Sequence, residues 1–450
     1  MRLRTWLGAV AAGALLVTGS VNTTAPSVGT PTDRPEIGAL QQADDPLQTP
    51  FEKSNGANWT TVAQEHRFLR RLDAASDRVV VDNVGRTVQG RPLQLVQVGH
   101  PAPDPQDAAA EGSVAFFVCS VHGDEPSGRE ACMIMARDLA FTDDPRWTRL
   151  LRNTTVLFMT ANPDGHELNT RENADGFDIN RDYMAEVTPE GRAVTKVIRD
   201  WKPDVLNDLH EYGPDPDYYR TDLLHLWPRN RNADDAVYRF AKQMSNDYAA
   251  AQVESLGYTA GIYGIFVKDG EQFLQVAGDE QARILRNYAG LQHVVGMLTE
   301  TANEPLTPEE EADPTLLNRR RVEVQYASSV GTLQMVLEHR DAIARQTAAA
   351  AVRATQAGAD RSGVVYFEGQ DNMLPTSDDE VEPEPMCGYQ LTAEQLDAVR
   401  QALRVHGITW ESRDGGAYVS MAQPDQPLIP LLFDARSEYR LLEATVVNDC

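Results

Sequence analysis

Four short segments of this 450-residue chain carry side chains that could act together on a peptide bond: His122-Gly-Asp-Glu125, the run from Asn162 to Arg181, His210 and Glu300. Two imidazoles and a carboxylate can bind a metal ion, a second carboxylate can take a proton from water, and arginines can bind oxyanions. A zinc hydrolase of peptide bonds requires such a set. Each segment lies at the end of an apolar, strand-like run, where an α/β sheet presents its ligands.

The spacing of His122, Glu125 and His210 is typical of a catalytic zinc site, in which one close pair and one distant ligand leave a position open for water. Gly123 and Pro126 place the close pair in a loop, which excludes the helical H-E-x-x-H arrangement. Taken alone, the close pair also fits an ordinary polar loop. The second histidine also fits a structural residue at a buried strand end.

The other polar residues of these segments have two interpretations each. Asp208 could orient a ligand imidazole, and Glu211 fits either a second-layer partner of the metal site or a solvated charge. Glu300 fits a general base whose pKa burial would raise, and also a charge that ends a strand. Arg171 and Arg181 fit either oxyanion-binding groups or surface charges in a polar loop.

The order of these motifs resembles that of the zinc carboxypeptidase family, in its bacterial secreted form. The resemblance covers roughly residues 58–302 and rests on His122-x-x-Glu125, Asn162-Pro-Asp-Gly165, Arg171, Asp178-Ile-Asn180-Arg181, His210 and Glu300. It implies one zinc ion per chain, held by His122, Glu125 and His210, with Glu300 as general base and acid.

The resemblance also assigns the substrate-facing groups. It implies that Arg171 stabilises the oxyanion of the tetrahedral intermediate, and that Asn180 and Arg181 bind the free C-terminal carboxylate. Asp124 departs from the pancreatic-type members, which carry an arginine there. Tyr263, in a Gly-rich loop, is either the family's mobile active-site tyrosine or a packing residue.

These observations predict a secreted zinc-dependent metallocarboxypeptidase that hydrolyses the C-terminal peptide bond of a peptide or protein. The alternative is a zinc amidase or endopeptidase of the same fold that acts on cell-wall peptides or acylated amino acids. A non-catalytic binding protein is disfavoured, because every catalytic position holds a competent residue. The net charge of −26 argues against nucleic acid and anionic membrane surfaces as partners.

The N-terminus predicts export. Residues 1–25 have the basic start and short apolar run of a signal peptide, and no later run predicts a membrane span. Export permits disulfides, and Cys387–Cys450 is the favoured pair. Cys119 and Cys132 could also pair, although a free cysteine is natural in a buried strand.

Alternating strand-like and helix-like runs predict an α/β fold with a mixed, mostly parallel sheet flanked by helices. Five sections are expected: the signal peptide at 1–25, a flexible leader at 26–57, the zinc carboxypeptidase-like catalytic domain at 58–302, a linker at 303–316, and residues 317–450. The last section is expected to hold a long helical segment and a small C-terminal α/β appendage. Residues 281–296 are predicted to form one helix just before the last strand of the catalytic domain.

Overall fold

The structure is a computed structural model that describes residues 47–101, 113–215, 220–268, 271–274, 279–371, 377 and 380–450. The predicted signal peptide lies outside the described residues, as does the predicted leader up to residue 46. The described residues all belong to one compact unit. No helix in the described part of the chain is both long enough and apolar enough to cross a membrane.

A central sheet of eight strands organises the molecule. Numbered along the chain, the first ten strands are β1 (Val79–Arg86), β2 (Pro92–Val98), β3 (Ser113–Ser120), β4 (Thr154–Thr160), β5 (Val205–Tyr212), β6 (Leu223–Leu226), β7 (Ala260–Ile262), β8 (Ile265–Lys268), β9 (Glu271–Leu274) and β10 (Val295–Ala302). The sheet order is β1-β2-β4-β3-β5-β10-β6-β7, and β8 and β9 form a separate two-stranded sheet.

Strands β4, β3, β5 and β10 run parallel through the middle of this sheet. Antiparallel pairs form at β1–β2, β2–β4 and β10–β6. Every residue of β3, β5 and β10 is buried, as expected of apolar strands covered on both faces. The prediction of a mixed, mostly parallel sheet is confirmed.

Helices cover both faces of the sheet. They are α1 (Pro50–Lys53), α2 (Val62–Ala75), α3 (Ser127–Phe141), α4 (Pro145–Leu151), α5 (Pro163–Leu168), α6 (Pro189–Trp201), α7 (Asp235–Gln243), α8 (Ala251–Ser255), α9 (Leu285–Leu291), α10 (Pro308–Ala312), α11 (Pro314–Asp360), α12 (Ala393–His406) and α13 (Ile429–Phe433). A 3₁₀ turn spans Ile179–Arg181, and a π-helix, Met244–Ala250, joins α7 to α8. One core packs α2, α3 and α11 against the sheet, and the other packs α6 and α9.

The helix predicted at 281–296 is wrong in its length. The observed helix α9 covers only Leu285–Leu291, and β10 begins at Val295. His293 lies between them with a φ of 63°, a left-handed conformation that does not continue a helix. The apolar residues around this point belong partly to the helix and partly to the strand, and the sequence pattern does not separate the two.

The end of the predicted leader is structured. Thr49 and Glu52 form a capping box at the start of α1, and Phe51 stacks on Trp59 at 5.0 Å. Glu52 also binds Arg137 of α3. These contacts attach residues 47–57 to the body of the protein, which the polar composition of the segment does not indicate.

The C-terminal part continues the same hydrophobic core. Its strands are β11 (Val365–Tyr366), β12 (Val381–Glu382), β13 (Gly388–Leu391), β14 (Glu411–Arg413), β15 (Gly416–Ser420) and β16 (Thr445–Val447), of which four form a sheet in the order β14-β15-β13-β16. Its buried residues share one cluster with those of α6 and α9. The domain division expected at 303–316 stays a prediction, and the structure places α10 and the start of α11 in that segment.

Two disulfides are present. Cys387–Cys450 attaches the chain end to β13, as favoured from the sequence, with Cα atoms 5.6 Å apart. Cys119–Cys132 also forms and joins β3 to α3 just beside the His122 loop, with Cα atoms 6.1 Å apart. This second bridge therefore joins the two elements that flank the His122 loop and holds the ends of the loop together.

Candidate active site

The parallel strands bring the predicted site residues to one edge of the sheet. His122 follows the end of β3, while His210 and Glu300 lie opposite each other in the neighbouring strands β5 and β10. Glu125 lies just before α3. Residues from distant parts of the sequence meet here because the carboxyl ends of parallel strands share an edge.

Two loops pack backbone against backbone to shape the site. A Cβ on Gly123 would lie 2.0 Å from the carbonyl carbon of Gly165, so only glycine fits at position 123. Asn162 caps α5 by accepting a hydrogen bond from the Gly165 amide at 2.9 Å. Its Nδ2 donates to the carbonyl of Arg171 at 3.2 Å. The Asn-Pro-Asp-Gly sequence, expected as a turn, therefore begins a short helix and fixes the loop that carries Arg171.

The side chains of His122, Glu125 and His210 converge as metal ligands would. Their donor atoms all lie within 4.8 Å of one another, and all three residues are buried. The Nδ1 atoms of the two histidines are 3.0 Å apart. The carboxylate of Glu125 lies 2.8 Å from one of them and 2.9 Å from the other. Two imidazole nitrogens and a carboxylate form a donor set that zinc accepts.

The outer nitrogen of each imidazole is held by a carboxylate. Nε2 of His210 lies 2.8 Å from Asp208, as the sequence suggested, and Nε2 of His122 lies 3.2 Å from Asp178. Such contacts orient a ligand imidazole and increase its basicity. Asp178 belongs to the Asp178-Ile-Asn180-Arg181 motif, but the sequence alone did not predict this contact with His122.

The charges around the cluster favour a cation. Burial alone would lower the pKa values of His122 and His210, but Glu125 and the outer carboxylates outweigh it and raise both. Burial would raise the pKa of Glu125, but the two histidines hold it well below its usual range. These protons are the ones that a metal ion replaces when it binds. The residues present therefore fit a zinc ion.

Glu300 lies beside this cluster without binding it directly. Burial raises the pKa of its carboxyl to about 7, with His210 opposing the shift and Glu125 adding to it. A general base or acid works best with a pKa near the working pH. The geometry therefore places a carboxyl with suitable acidity next to the predicted metal ligands.

Glu211 contacts the predicted ligand Glu125 through its backbone N–H, at 3.1 Å, and its side chain binds two other elements. Its carboxylate accepts a hydrogen bond from the amide of Ser127 at 2.7 Å and forms an ion pair with Arg321 of α11. A carboxylate at the N-terminus of a helix is favoured by the helix dipole. Glu211 therefore connects β5, α3 and α11, a role that its position beside His210 did not indicate.

The predicted substrate-facing residues differ in how many of their polar atoms already have partners within the protein. Arg171 pairs with Asp178 at 3.0 Å, and its Nη1 also donates to His122 at 3.1 Å. The amide of Asn180 is engaged at both ends, since Nδ2 contacts His210 at 3.0 Å and Oδ1 accepts from Leu285 N–H at 2.8 Å. Arg181 donates to the Asn180 carbonyl at 2.8 Å, and no ion pair to Arg181 occurs among the described residues.

A cavity of about 260 Å³ collects these groups, and its lining includes His122, Glu125, Arg171, Arg181, His210 and Glu300. Tyr263, the candidate aromatic residue, also lines it. Arg286 of α9 lines the cavity as well, a position that the sequence did not predict. A lone arginine within an apolar helical run carries no motif that would have marked it.

Comparison with known proteins agrees with this geometry. Residues 65–263 match the family model described as zinc carboxypeptidase. This stretch of the chain is therefore similar to the zinc carboxypeptidase family. It includes every predicted site residue except Glu300, which lies beyond the end of the match.

Carboxypeptidase 2 of Trichophyton rubrum is 26% identical over 254 residues, which cover 52% of this chain and 45% of that protein. Carboxypeptidase 2 of Trichophyton equinum is 30% identical with the same coverage. Carboxypeptidase D of Mus musculus is 28% identical over 206 residues, 35% of this chain and 15% of that protein. The chain thus spans about half the length of the fungal relatives. Because these relatives are eukaryotic, the bacterial form expected from the sequence is not confirmed.

Among solved structures, a metallo-carboxypeptidase from Burkholderia cenocepacia aligns with a TM-score of 0.47 at 20% identity and covers 62% of this chain and 69% of its own. A metallo-carboxypeptidase from Pseudomonas aeruginosa, in complex with (2-guanidinoethylmercapto)succinic acid, aligns with a TM-score of 0.46 at 18% identity. This alignment covers 62% of this chain and 68% of the Pseudomonas chain.

Proposed function

We propose that the protein is a secreted zinc-dependent metallocarboxypeptidase that removes the C-terminal residue of peptides or proteins. The observation that carries this proposal is the convergence of three metal-ligating side chains, a buried carboxyl and two arginines on one cavity. The family match of residues 65–263 supports a metallopeptidase. The N-terminal signal-like sequence and the two disulfides support export.

His122, Glu125 and His210 would hold one zinc ion, with Asp178 and Asp208 orienting the two imidazoles. When bound, zinc lowers the pKa of a coordinated water and polarises a substrate carbonyl. Glu300 takes a proton from the attacking water and later gives it to the leaving amine. Its raised pKa allows both transfers near neutral pH.

The arginines act on the substrate's negative charges. Arg171 lies beside His122 and Glu125, so its guanidinium can stabilise the charge that develops on the carbonyl oxygen of the scissile bond. Arg181 lines the same cavity and can bind the free C-terminal carboxylate through two hydrogen bonds. Asn180 lines the same cavity and is proposed to bind this carboxylate through Nδ2, which then leaves its contact with Nε2 of His210.

The test compares peptides that end in a free carboxylate with the same peptides ending in an amide. An amide leaves Arg181 without its charged partner, at a cost on the order of 2–5 kcal/mol, or roughly 30- to several-thousand-fold in kcat/KM. Release of C-terminal residues is followed by mass spectrometry, with and without a zinc chelator, and chelation should abolish it.

Arg181→Ala sharpens this test, because it should narrow the gap between free and amidated peptides. Arg181→Lys should restore the gap only in part, since an ammonium cannot make the planar two-bond contact. Equal cleavage of both peptide forms by the wild type would contradict the exopeptidase proposal. It would favour the amidase or endopeptidase alternative.

A further inference from the structure

Arg286 is a nearly fully buried cation that faces the candidate active site. Its side chain is 1% exposed and lines the cavity together with Glu300. Its only hydrogen bond to a described residue runs from Nη2 to the carbonyl of Asp279, at 2.8 Å. Nε is buried without a partner. No ion pair to Arg286 occurs within the described ranges.

In the described part of the chain, two other arginines are as deeply buried as Arg286, and both have carboxylate partners. Arg129 is 3.0 Å from Glu65, and Arg229 is 2.9 Å from Asp371. A buried charge without a close partner is destabilising, and burial lowers the pKa of Arg286 to about 10, a shift that the nearby charges of Asp279 and Glu300 oppose only in part. Folding therefore places a poorly compensated cation at the wall of the cavity, where a bound anion would compensate it.

Arg181 makes a second guanidinium in this cavity that has no carboxylate partner among the described residues. Arg171 differs, because Asp178 neutralises it. A single C-terminal carboxylate can neutralise one of the two remaining arginines. A terminal residue with a second carboxylate on its side chain can neutralise both.

We propose that Arg286 is a specificity-determining residue that binds the side-chain carboxylate of the substrate's last residue, so that the enzyme prefers peptides ending in glutamate or aspartate. This inference rests on the proposed carboxypeptidase function. In it, Arg181 binds the terminal carboxylate and Arg286 the side-chain carboxylate. The scissile bond then lies toward Glu300 and the histidine cluster.

The experiment uses the full chain loaded with zinc and four peptides that differ only in the last residue, which is Glu, Gln, Leu or Lys. The wild type should cleave the Glu peptide at least about 30-fold more efficiently than the isosteric Gln peptide, because Gln leaves Arg286 unpaired. The Lys peptide should be the poorest, since it brings a second cation to Arg286.

Arg286→Met keeps the unbranched, flexible stem of the side chain and removes the guanidinium with its charge. It should bring the Glu and Gln peptides to within a few-fold of each other and raise cleavage of the Leu peptide relative to both. Arg286→Lys keeps the charge and should retain part of the preference for Glu. The Glu-to-Gln ratio is measured on one preparation, so it does not depend on how much of a variant folds.

Arg129→Met is the matched control, because Arg129 is equally buried but lies outside the cavity. Its Glu-to-Gln ratio should equal that of the wild type. Efficient cleavage of Leu or Lys peptides with no preference for Glu, and no change of ratio in Arg286→Met, would overturn the inference and leave the carboxypeptidase proposal intact. If no free-ended peptide loses its last residue, both proposals are wrong.

Discussion

Arginines are buried in two regions of this protein, and their partners differ. Between α1, α3 and α11, Arg137 lies 2.6 Å from Glu52 and 2.8 Å from Asp138, and Tyr326 donates to Asp138 at 2.9 Å. In the site cavity, Arg286 and Arg181 have no carboxylate partner among the described residues. In the first region the buried guanidinium therefore has its carboxylate partners within the chain. In the second region, we propose that bound substrate supplies them.

This difference distinguishes buried charges that stabilise the fold from buried charges that bind ligands. A buried ion pair with both partners in the chain contributes to the native state, and removing one partner leaves the other uncompensated. Buried groups whose partners are absent or whose pKa values are shifted are expected where ligands bind and chemistry occurs. Substitutions in each region test that separation.

The largest effect is expected from Glu300→Gln. The variant keeps the shape of the side chain but cannot accept a proton, so turnover should fall by roughly 10²–10⁴-fold. Zinc content and KM should change little, because Glu300 is not one of the three clustered ligands. Steady-state kinetics and metal analysis of the purified variant measure both.

Glu304→Gln is the control for this variant, since Glu304 is exposed and follows β10 by two residues. It should retain wild-type turnover. Activity of Glu300→Gln within a few-fold of wild type would remove the general-base role from this residue, and a loss in Glu304→Gln instead would move that role there.

The second largest effect is expected from Arg137→Met, which should change the free energy of unfolding but not the kcat. Arg137→Met leaves Glu52 and Asp138 as buried carboxylates without their shared cation, which should lower the free energy of unfolding by about 3–5 kcal/mol. The kcat of the folded fraction should stay unchanged, because Arg137 lies outside the site cavity. Urea denaturation and active-site titration together separate the two quantities.

Arg146→Met is matched to it, because Arg146 also pairs with an aspartate but its side chain is 64% exposed. Solvent screens such a pair, and its loss should cost no more than about 1 kcal/mol. Equal destabilisation by the two variants would show that burial does not distinguish these pairs.

The smallest effect concerns the support of the metal ligands. Asp208→Asn keeps the shape of the side chain but loses the charge that faces His210 Nε2 at 2.8 Å. Zinc affinity should fall by about 10–100-fold, as for comparable supporting residues elsewhere. Competition with a chromophoric chelator measures the affinity. The exposed Asp200→Asn serves as control and should bind zinc as the wild type does.

Much of this architecture could be predicted from the sequence, because the signals were local. Apolar runs marked β3, β5 and β10, and the residues at their ends marked the metal ligands and Glu300. The cluster of His122, Glu125 and His210 confirms that these residues meet, while their roles stay predictions.

The parts that the sequence did not predict depend on tertiary contacts. The position of Arg286 in the cavity wall depends on how α9 packs beside the site. The ion pair of Arg321 depends on β5, which places Glu211 next to α11. The limits of α9 depend on where β10 must begin in order to pair with β5. Local periodicity does not record such long-range requirements.

The long helix α11 gives the site a dependence on chain far outside the family match. Gln325 donates to the carbonyl of His210 at 2.6 Å and accepts from the Thr299 hydroxyl at 3.1 Å, one residue before Glu300. One turn earlier, Arg321 neutralises Glu211. The residues that support the site therefore extend beyond residues 65–263, the stretch that matches the family model. Evolution must preserve α11 together with that stretch. Changes in α11 can impair catalysis without touching a residue that faces the substrate.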